Sequence, residues 1–257
     1  LARRLYAAQA LRWLEVSSTH ILSNSRTALD HFHGTGWAAG PRFQVIPNGV
    51  DATRFRPRPD ERAAIRAEFG IPSDTVVIGH VGRVDPAKDH EALFAIVQAL
   101  REDDPHVRLL LVGTGTDSEA IQARLRHHGI ADITIALGVR QDVHHLYNTM
   151  DVFVFTSVTE GQPNALIEAM LSGLPVVASD ISPIRTAMPA ESNDRLFRPR
   201  DAESAALLVA RLFAKDRYKD AHERAIASIE WMRNKYDLIV NLSAALKELE
   251  ASPKGKS

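Results

Sequence analysis

Short apolar runs alternate with amphipathic stretches along most of this chain, and the alternation is regular from about Thr75 onward. The apolar runs have the length and composition of buried strands. They cover residues 76–81, 107–112, 133–137, 152–155 and 175–178, with a weaker run at 195–197. Strands that alternate with helices predict an α/β fold, here a Rossmann-like doubly wound parallel sheet.

Helical spacing predicts helices at 90–101, 117–128, 143–150, 202–214, 218–229 and 236–251. Apolar residues at helical spacing also mark residues 1–16. A short strand is expected at 19–22, and Ser25 is placed to cap a helix that runs through Phe32. Residues 1–50 therefore look like the tail of a separate α/β unit. Residues 56–59 are typical of a linker, and residues 253–257 are typical of a disordered tail.

The stretch from Glu160 to Ala178 joins two predicted strands through a loop and a helix. Pro163 suits a first helical turn, where its missing N–H group would have no partner in any case. The backbone N–H groups from Asn164 onward then predict an anion site at the amino end of the helix. In a doubly wound sheet this point lies beyond the carboxyl ends of the strands, where ligands bind.

Two carboxylates, Glu160 and Glu168, flank that predicted anion site. A carboxylate repels a phosphate but accepts hydrogen bonds from sugar hydroxyls. An anion with sugars on both sides is a nucleotide-diphosphate sugar. Two solvated glutamates around an ordinary crossover helix are the alternative, and single motifs often mislead.

Three further loops follow predicted strands and should reach the same crevice. The first holds Gly82, Arg83 and Lys88, whose two cations suit a diphosphate. The second holds a Gly-x-Gly turn at 113–115. The third holds Val139, whose backbone N–H and C=O could pair with a base edge. A solvated basic loop and a plain connector are the alternatives for the first and third.

Composition removes several classes of function. The formal net charge is −1, so no overall field attracts nucleic acid. The chain lacks cysteine and an apolar run near the ~20 residues of a membrane helix. The eleven histidines show no metal-ligand spacing, so surface histidines are expected. The first residue is not methionine, and we expect further sequence upstream.

Several motifs stand in one order along residues 17–215. They are IPNGVD, GHVGRVDPAKDH, LLLVGTG, LGVRQDV and DVFVFTSVTEGQPNALIEAMLSGLPVVASD. As a set they resemble the retaining family 4 glycosyltransferases of GT-B fold, above all the branch that builds capsular and exopolysaccharides. The resemblance implies a retaining hexosyltransferase whose donor domain is largely present.

The resemblance also implies roles for individual residues. Glu168 would hold the donor ribose, Glu160 the transferred sugar, and Arg83 and Lys88 the diphosphate, with Gly82 beside them. Val139 would contact the base. The amides of the loop would face the sugar and phosphate, and its residues are Gly161, Gln162, Pro163, Asn164, Ala165 and Leu166. Many family members have Phe-Gly-Leu where this chain has Gln162-Pro163-Asn164.

By the same resemblance, residues 1–50 are the remnant of an N-terminal acceptor domain. Residues 51–230 are the donor domain, and 231–257 are a crossover helix and tail. The expected partners are a nucleotide-sugar donor and, through the missing domain, a saccharide or lipid-linked acceptor. UDP-sugar is preferred to GDP-sugar, with no cofactor, metal or nucleic acid. The expected location is the cytoplasm, with peripheral association of the full-length protein at the inner face of the membrane.

Two rival functions remain open at this point. A nucleotide-sugar epimerase shares the fold but needs further acid and base groups in the crevice, and none can be named. A donor-binding module that requires a partner chain for catalysis is the second rival, because the acceptor domain's glycine-rich loop and histidine have no match here.

Overall fold

The computed structural model describes residues 2–34, 36–37, 42–214 and 217–251. The strands are β1 Ile21–Ser23, β2 Phe43–Val45, β3 Val76–Val81, β4 Val107–Val112, β5 Thr134–Ala136, β6 Val152–Phe155, β7 Val176–Ser179 and β8 Leu196–Phe197. The helices are α1 Ala2–Ser17, α2 Arg26–His33, α3 Pro59–Glu68, α4 His90–Asp103, α5 Glu119–His127, α6 Val143–Leu146, α7 Asn164–Leu171, α8 Ser182–Ala187, α9 Ala202–Phe213, α10 Arg217–Ala227, α11 Ile229–Tyr236 and α12 Leu238–Ala251.

Strands β3 to β8 form one parallel sheet in the order β5-β4-β3-β6-β7-β8. Side chains of each strand alternate between two cores. Val77, Phe153 and Phe155 face one core, under α7 and α11, whereas Ile78 and Val154 face the other, under α4, α5 and α9. Burial on both faces explains the continuous apolar runs and confirms the predicted α/β doubly wound fold.

Among the described residues before position 50, β1, α2 and β2 form a smaller βαβ unit in which β1 pairs with β2 in parallel. Ser25 caps α2 as predicted, since its Oγ accepts a hydrogen bond from the N–H of Ala28 at 3.2 Å. The assignment of residues 1–50 to a separate domain stays a prediction. The predicted tail at 253–257 lies outside the described residues.

The sequence pattern missed three helices, which are α3, α8 and α11. Pro59 does not belong to a linker but starts α3, because proline lacks the N–H that a first helical turn leaves unpaired. The predicted helix at 236–251 starts later, at Leu238. The helical path is interrupted at Asp237. There the N–H of Val50 donates to the carbonyl of Tyr236, and the N–H of Leu238 donates to the carbonyl of Val50.

Helix α3 is attached to the sheet by a buried ion cluster. Asp151 Oδ1 lies 2.5 Å from Arg62 Nη2, and Asp151 Oδ2 lies 2.6 Å from Arg66 Nη2. The same Oδ2 accepts the N–H of Val77 at 2.8 Å. Asp151 is 8% exposed and Arg66 is 5% exposed, so each charge depends on the other for compensation.

Candidate functional site

The order of the strands reverses between β3 and β6. These two strands are neighbours, but the chain runs from β3 toward β5 on one side and from β6 toward β8 on the other. Such a switch point opens a crevice beyond the carboxyl ends of the two strands. The loops that leave them there contain Gly82–Lys88 and Thr156–Glu160.

The two loops are joined by backbone contacts. The N–H of Val158 donates to the carbonyl of Ala87 at 2.8 Å, and the hydroxyl of Thr156 donates to the carbonyl of Lys88 at 2.7 Å. Asp85 caps the short 3₁₀ turn that carries Lys88 by accepting the N–H of Ala87. The position of Lys88 is therefore set by both strands of the switch point.

Lys88 and Glu160 meet across the crevice. Lys88 Nζ lies 2.5 Å from Glu160 Oε1, and the two side chains are only 17% and 11% exposed. The ammonium also lies 4.8 Å from the ring centre of Phe155. An ammonium has three N–H donors, and one of them serves Glu160. The structure thus brings together a cation and a carboxylate that are 72 positions apart in the sequence.

Arg83 stands at the same loop but points to solvent. Its side chain is 70% exposed, and its Nε lies 3.3 Å from Asp85 Oδ2. Such an exposed pair contributes little to stability. The guanidinium can therefore move toward a ligand without breaking the fold.

The loops after β3, β4 and β5 are also connected. Gly113 has a φ of 136°, and a Cβ there would lie 2.2 Å from the carbonyl oxygen of Gly82. The N–H of Gly113 donates to Gly138 at 2.7 Å. Only glycine permits this approach at Gly113, so the turn predicted at 113–115 has a steric cause. Val139 follows Gly138 and is 65% exposed at the rim.

The amino end of α7 faces the crevice, with Pro163 one position before the helix rather than inside it. One detail of the predicted anion site was wrong. The N–H of Asn164 is not free, because it donates to the carbonyl of Gln162 at 2.9 Å. The next two N–H groups, of Ala165 and Leu166, have no acceptor among the described residues, and they remain able to bind an anion.

Glu168 lies one turn farther into the same helix and contacts Tyr147. The hydroxyl of Tyr147 lies 2.9 Å from Glu168 Oε2 and 3.1 Å from the carbonyl of Ala165. Burial raises the pKa of Glu168 above its usual range, although the Tyr147 hydrogen bond and the charge of Arg54 oppose the shift. Burial likewise raises the pKa of Tyr147. One oxygen of Glu168, Oε1, has no partner within the described part of the chain.

Gln162 connects the crevice to the segment that leads in from residues 1–50. Its Oε1 accepts the N–H of Asn48 at 2.8 Å, and its Nε2 donates to the carbonyl of Asn48 at 2.8 Å. The side-chain amide thus forms the same pair of hydrogen bonds with Asn48 that the backbone of a neighbouring β-strand would form. Gln162 thereby holds the loop of Gly161 against this segment.

Two buried histidines lie directly beneath the crevice. His80 donates from Nδ1 to the carbonyl of Val154 at 2.9 Å, and its ring centre is 5.1 Å from that of His90. Burial lowers the pKa of His80 to about 3 and that of His90 to about 4. Both rings are therefore neutral near pH 7. They contradict the expectation that the histidines of this chain lie at the surface.

Among the described residues, no group of three His, Asp or Glu side chains is arranged to hold a metal ion. Within the same part of the chain, no helix combines the length and the apolar character needed to cross a membrane.

The predicted site residues fall into two sets. One set meets at the switch point, and it comprises Gly82, Arg83, Lys88, Glu160, residues 161–166 and Glu168. Val139 alone stands at the rim. Sequence reasoning missed Tyr147, Arg54 and the two buried histidines. Tyr147 had one usable signal, since a tyrosine on the apolar face of a helix needs a partner for its hydroxyl.

A family model described as Glycosyl transferases group 1 matches residues 75–215. The chain is 31% identical over 231 residues to a D-inositol 3-phosphate glycosyltransferase of Nocardia farcinica, a match that covers 83% of this chain and 50% of that protein. It is 35% identical over 139 residues to the putative glycosyltransferase EpsF of Bacillus subtilis, covering 54% and 36%.

Among solved structures, Anabaena HepE in complex with UDP and glucose superposes with a TM-score of 0.82 at 21% identity, covering 95% of this chain and 66% of HepE. The lipopolysaccharide glycosyltransferase WaaG superposes with a TM-score of 0.74 at 20% identity, covering 87% and 61%. These neighbours show a common fold.

The crevice at the switch point lies on a parallel sheet that superposes on these proteins, which have the GT-B fold. This chain belongs to the glycosyl transferases group 1 family. It spans about half the length of the curated relatives it matches.

Proposed function

We propose that this chain is the donor-binding half of a retaining family 4 glycosyltransferase. The activity is the transfer of a hexose from a UDP-sugar to a saccharide or lipid-linked acceptor in polysaccharide synthesis. One observation carries the proposal. The amino end of α7 presents two N–H groups that have no acceptor among the described residues, and these groups lie between two carboxylates, Glu160 and Glu168, at a switch point. That arrangement fits a diphosphate with a sugar on either side.

Each residue has a role that its position supports. The N–H groups of Ala165 and Leu166, with Lys88 and Arg83, would bind the diphosphate. Glu168 Oε1 would accept hydrogen bonds from the ribose, since Tyr147 already occupies Oε2. Glu160 would bind the transferred sugar from the side of Lys88.

In the reaction the acceptor oxygen forms a bond to the anomeric carbon while the bond from that carbon to the phosphate oxygen breaks. The bonding electrons leave with the diphosphate, which also takes the acceptor's proton on the same face. Lys88, Arg83 and the N–H groups of α7 stabilise the charge that develops on the leaving group. This chemistry requires neither a protein base nor a metal ion.

Calorimetry with the 257-residue chain tests the proposal. We expect saturable binding of UDP in the presence of EDTA, and weaker binding after Arg83→Gln. Loss of binding on adding EDTA would contradict the metal-free site. GDP in place of UDP tests the identity of the base. The coupling constant of the anomeric proton in the product of the full-length enzyme gives the anomeric configuration and so tests retention.

Two further measurements separate the rival functions. Isomerised sugar formed from donor alone would favour the epimerase. Rapid sugar transfer by the purified monomeric chain would contradict the half-enzyme proposal, because the acceptor would then be positioned without the other domain.

A further inference from the structure

A second charged cavity lies at the amino ends of the strands, on the side of the sheet opposite the crevice. Arg195 immediately precedes β8, so it stands at the amino end of an edge strand that pairs in parallel with β7. The crevice of the proposed donor site lies beyond the carboxyl ends. A ligand in this cavity would therefore not touch the donor.

Arg195 is buried at the wall of this cavity without adequate compensation. The residue is 5% exposed, and its Nε and Nη2 have no hydrogen-bond partner among residues that the structure describes. The nearest carboxylate oxygen, Asp194 Oδ1, lies 3.9 Å from Nε, which is too far for a hydrogen bond. Burying an arginine in this way is costly unless an anion pairs with it.

Three more arginines surround the cavity, which has a volume of about 360 Å³. Arg211 comes from α9, and Arg217 and Arg224 come from α10. Arg217 and Arg224 are seven positions apart, so they lie on one face of the helix. The lining carboxylates are Asp194, which accepts from Arg224 Nη1 at 3.2 Å, and Asp220. Four arginines and two aspartates leave a formal charge of +2.

We propose that this cavity is a binding site for a phosphate dianion, either inorganic phosphate or the phosphate group of a small monoester. The guanidinium fork matches the geometry of phosphate oxygens, and the charge of the lining matches a dianion. Leu208 and Leu212 supply an apolar wall that suits the carbon skeleton of a monoester. The site is independent of the proposed transferase function.

Isothermal calorimetry tests the site with inorganic phosphate, in a phosphate-free buffer held at constant ionic strength with chloride. We expect saturable binding to the wild-type chain and at least a tenfold loss of affinity in Arg195→Met. Arg198→Met is the matched control, because it removes the same charge from an exposed residue three positions away, and it should bind as the wild type does. Arg83→Gln should also bind phosphate normally, which separates this site from the donor crevice.

The melting temperature gives a second test, because removal of a buried charged residue is expected not to lower it. Without phosphate, Arg195→Met should melt no lower than the wild type, because methionine fills the space without an uncompensated charge. Phosphate should raise the melting temperature of the wild type but not of this variant. If Arg195→Met does not fold, the exposed double variant Arg217→Gln/Arg224→Gln should still weaken phosphate at least threefold.

Three results would overturn the site: no saturable phosphate binding, equal binding by Arg195→Met, or loss of binding in Arg83→Gln. Glycerol phosphate distinguishes the two sources of the anion. Tighter binding of glycerol phosphate than of inorganic phosphate supports a monoester ligand, and the reverse order supports free phosphate.

Discussion

The ammonium of Lys88 lies 2.5 Å from a carboxylate oxygen of Glu160, in the crevice between the loops that follow β3 and β6. This pair neutralises two charges that would otherwise be desolvated with no partner. It also places Glu160, which is proposed to bind the sugar, beside Lys88, which is proposed to bind the diphosphate. A change at Glu160 therefore removes the proposed contact to the sugar and leaves Lys88 in place for the diphosphate.

Glu160→Gln should separate the two ends. The variant should bind bare UDP as tightly as the wild type or more tightly, because Lys88 gains freedom to contact phosphate. It should bind UDP-sugar more weakly, by roughly 1.5–3 kcal/mol for a lost hydrogen bond to a charged group. Calorimetry with both ligands measures the difference, and Arg83→Gln is the control because it should weaken both. Equal weakening of UDP and UDP-sugar by Glu160→Gln would refute this placement of the sugar.

Glu168 should make UDP binding sensitive to acid. Its carboxylate accepts hydrogen bonds from the ribose more strongly when it is ionised, and burial raises its pKa. As the pH falls through that raised pKa, the carboxylate loses the charge that strengthens these hydrogen bonds, so the affinity for UDP should fall at a higher pH than an exposed glutamate would give. Glu168→Gln should abolish this pH dependence, and Glu168→Ala should cost roughly 1.5–3 kcal/mol at neutral pH.

Tyr147→Phe tests the same assignment from the partner residue. The Tyr147 hydrogen bond lowers the pKa of Glu168, so its removal should move the midpoint of the UDP affinity profile to higher pH. Calorimetry across the pH range measures the midpoint. An unchanged midpoint in this variant would show that another group controls the profile.

Asp151→Asn should be among the most destabilising exchanges in the chain. It leaves the charges of Arg62 and Arg66 without their counterion. Arg66 is only 5% exposed, so water cannot compensate its charge. Loss of one partner of a buried pair costs about 3–5 kcal/mol. Urea unfolding measures the change, and Asp142→Asn is the matched control. Asp142 pairs with Arg140 at 2.6 Å on the surface, where a pair is worth about 1 kcal/mol or less.

His90→Leu should make the protein more resistant to acid. In the folded chain burial lowers the pKa of His90 from 6.5 to about 4, so the unfolded chain binds the proton first and stability falls as the pH drops from 6.5 to 4. The loss is about 3 kcal/mol at 1.36 kcal/mol per pKa unit. Unfolding free energies at pH 8, 6 and 4.5 should show a shallower slope in the variant.

The control for this experiment is His127→Leu, which removes one imidazole from an exposed position of α5. Near pH 8 the His90→Leu variant should be about as stable as the wild type, since within the described residues the ring of His90 makes only ring contacts. An unchanged slope would mean that other groups, such as paired carboxylates, govern acid unfolding.

Local patterns along the sequence were enough to determine the main strands of the sheet and their alternation with helices. β3, β4 and β6 begin and end where the apolar runs do, because a strand buried on both faces needs apolar residues at every position. The cap at Ser25 is also local, since it joins residues three positions apart. The crevice followed from the parallel arrangement of the strands, because parallel strands place their carboxyl ends on one side of the sheet.

Tertiary structure alone decided which side chains contact each other in and around that crevice. Lys88 and Glu160 are 72 positions apart, Tyr147 and Glu168 are 21 apart, and Asn48 and Gln162 are 114 apart. No periodicity relates such positions. The break at Asp237 has the same origin, since Val50 pairs with the backbone there and interrupts a sequence whose local preference is helical. A pattern reports what a segment prefers by itself, whereas a partner far along the chain supplies the hydrogen bond or charge that decides the outcome.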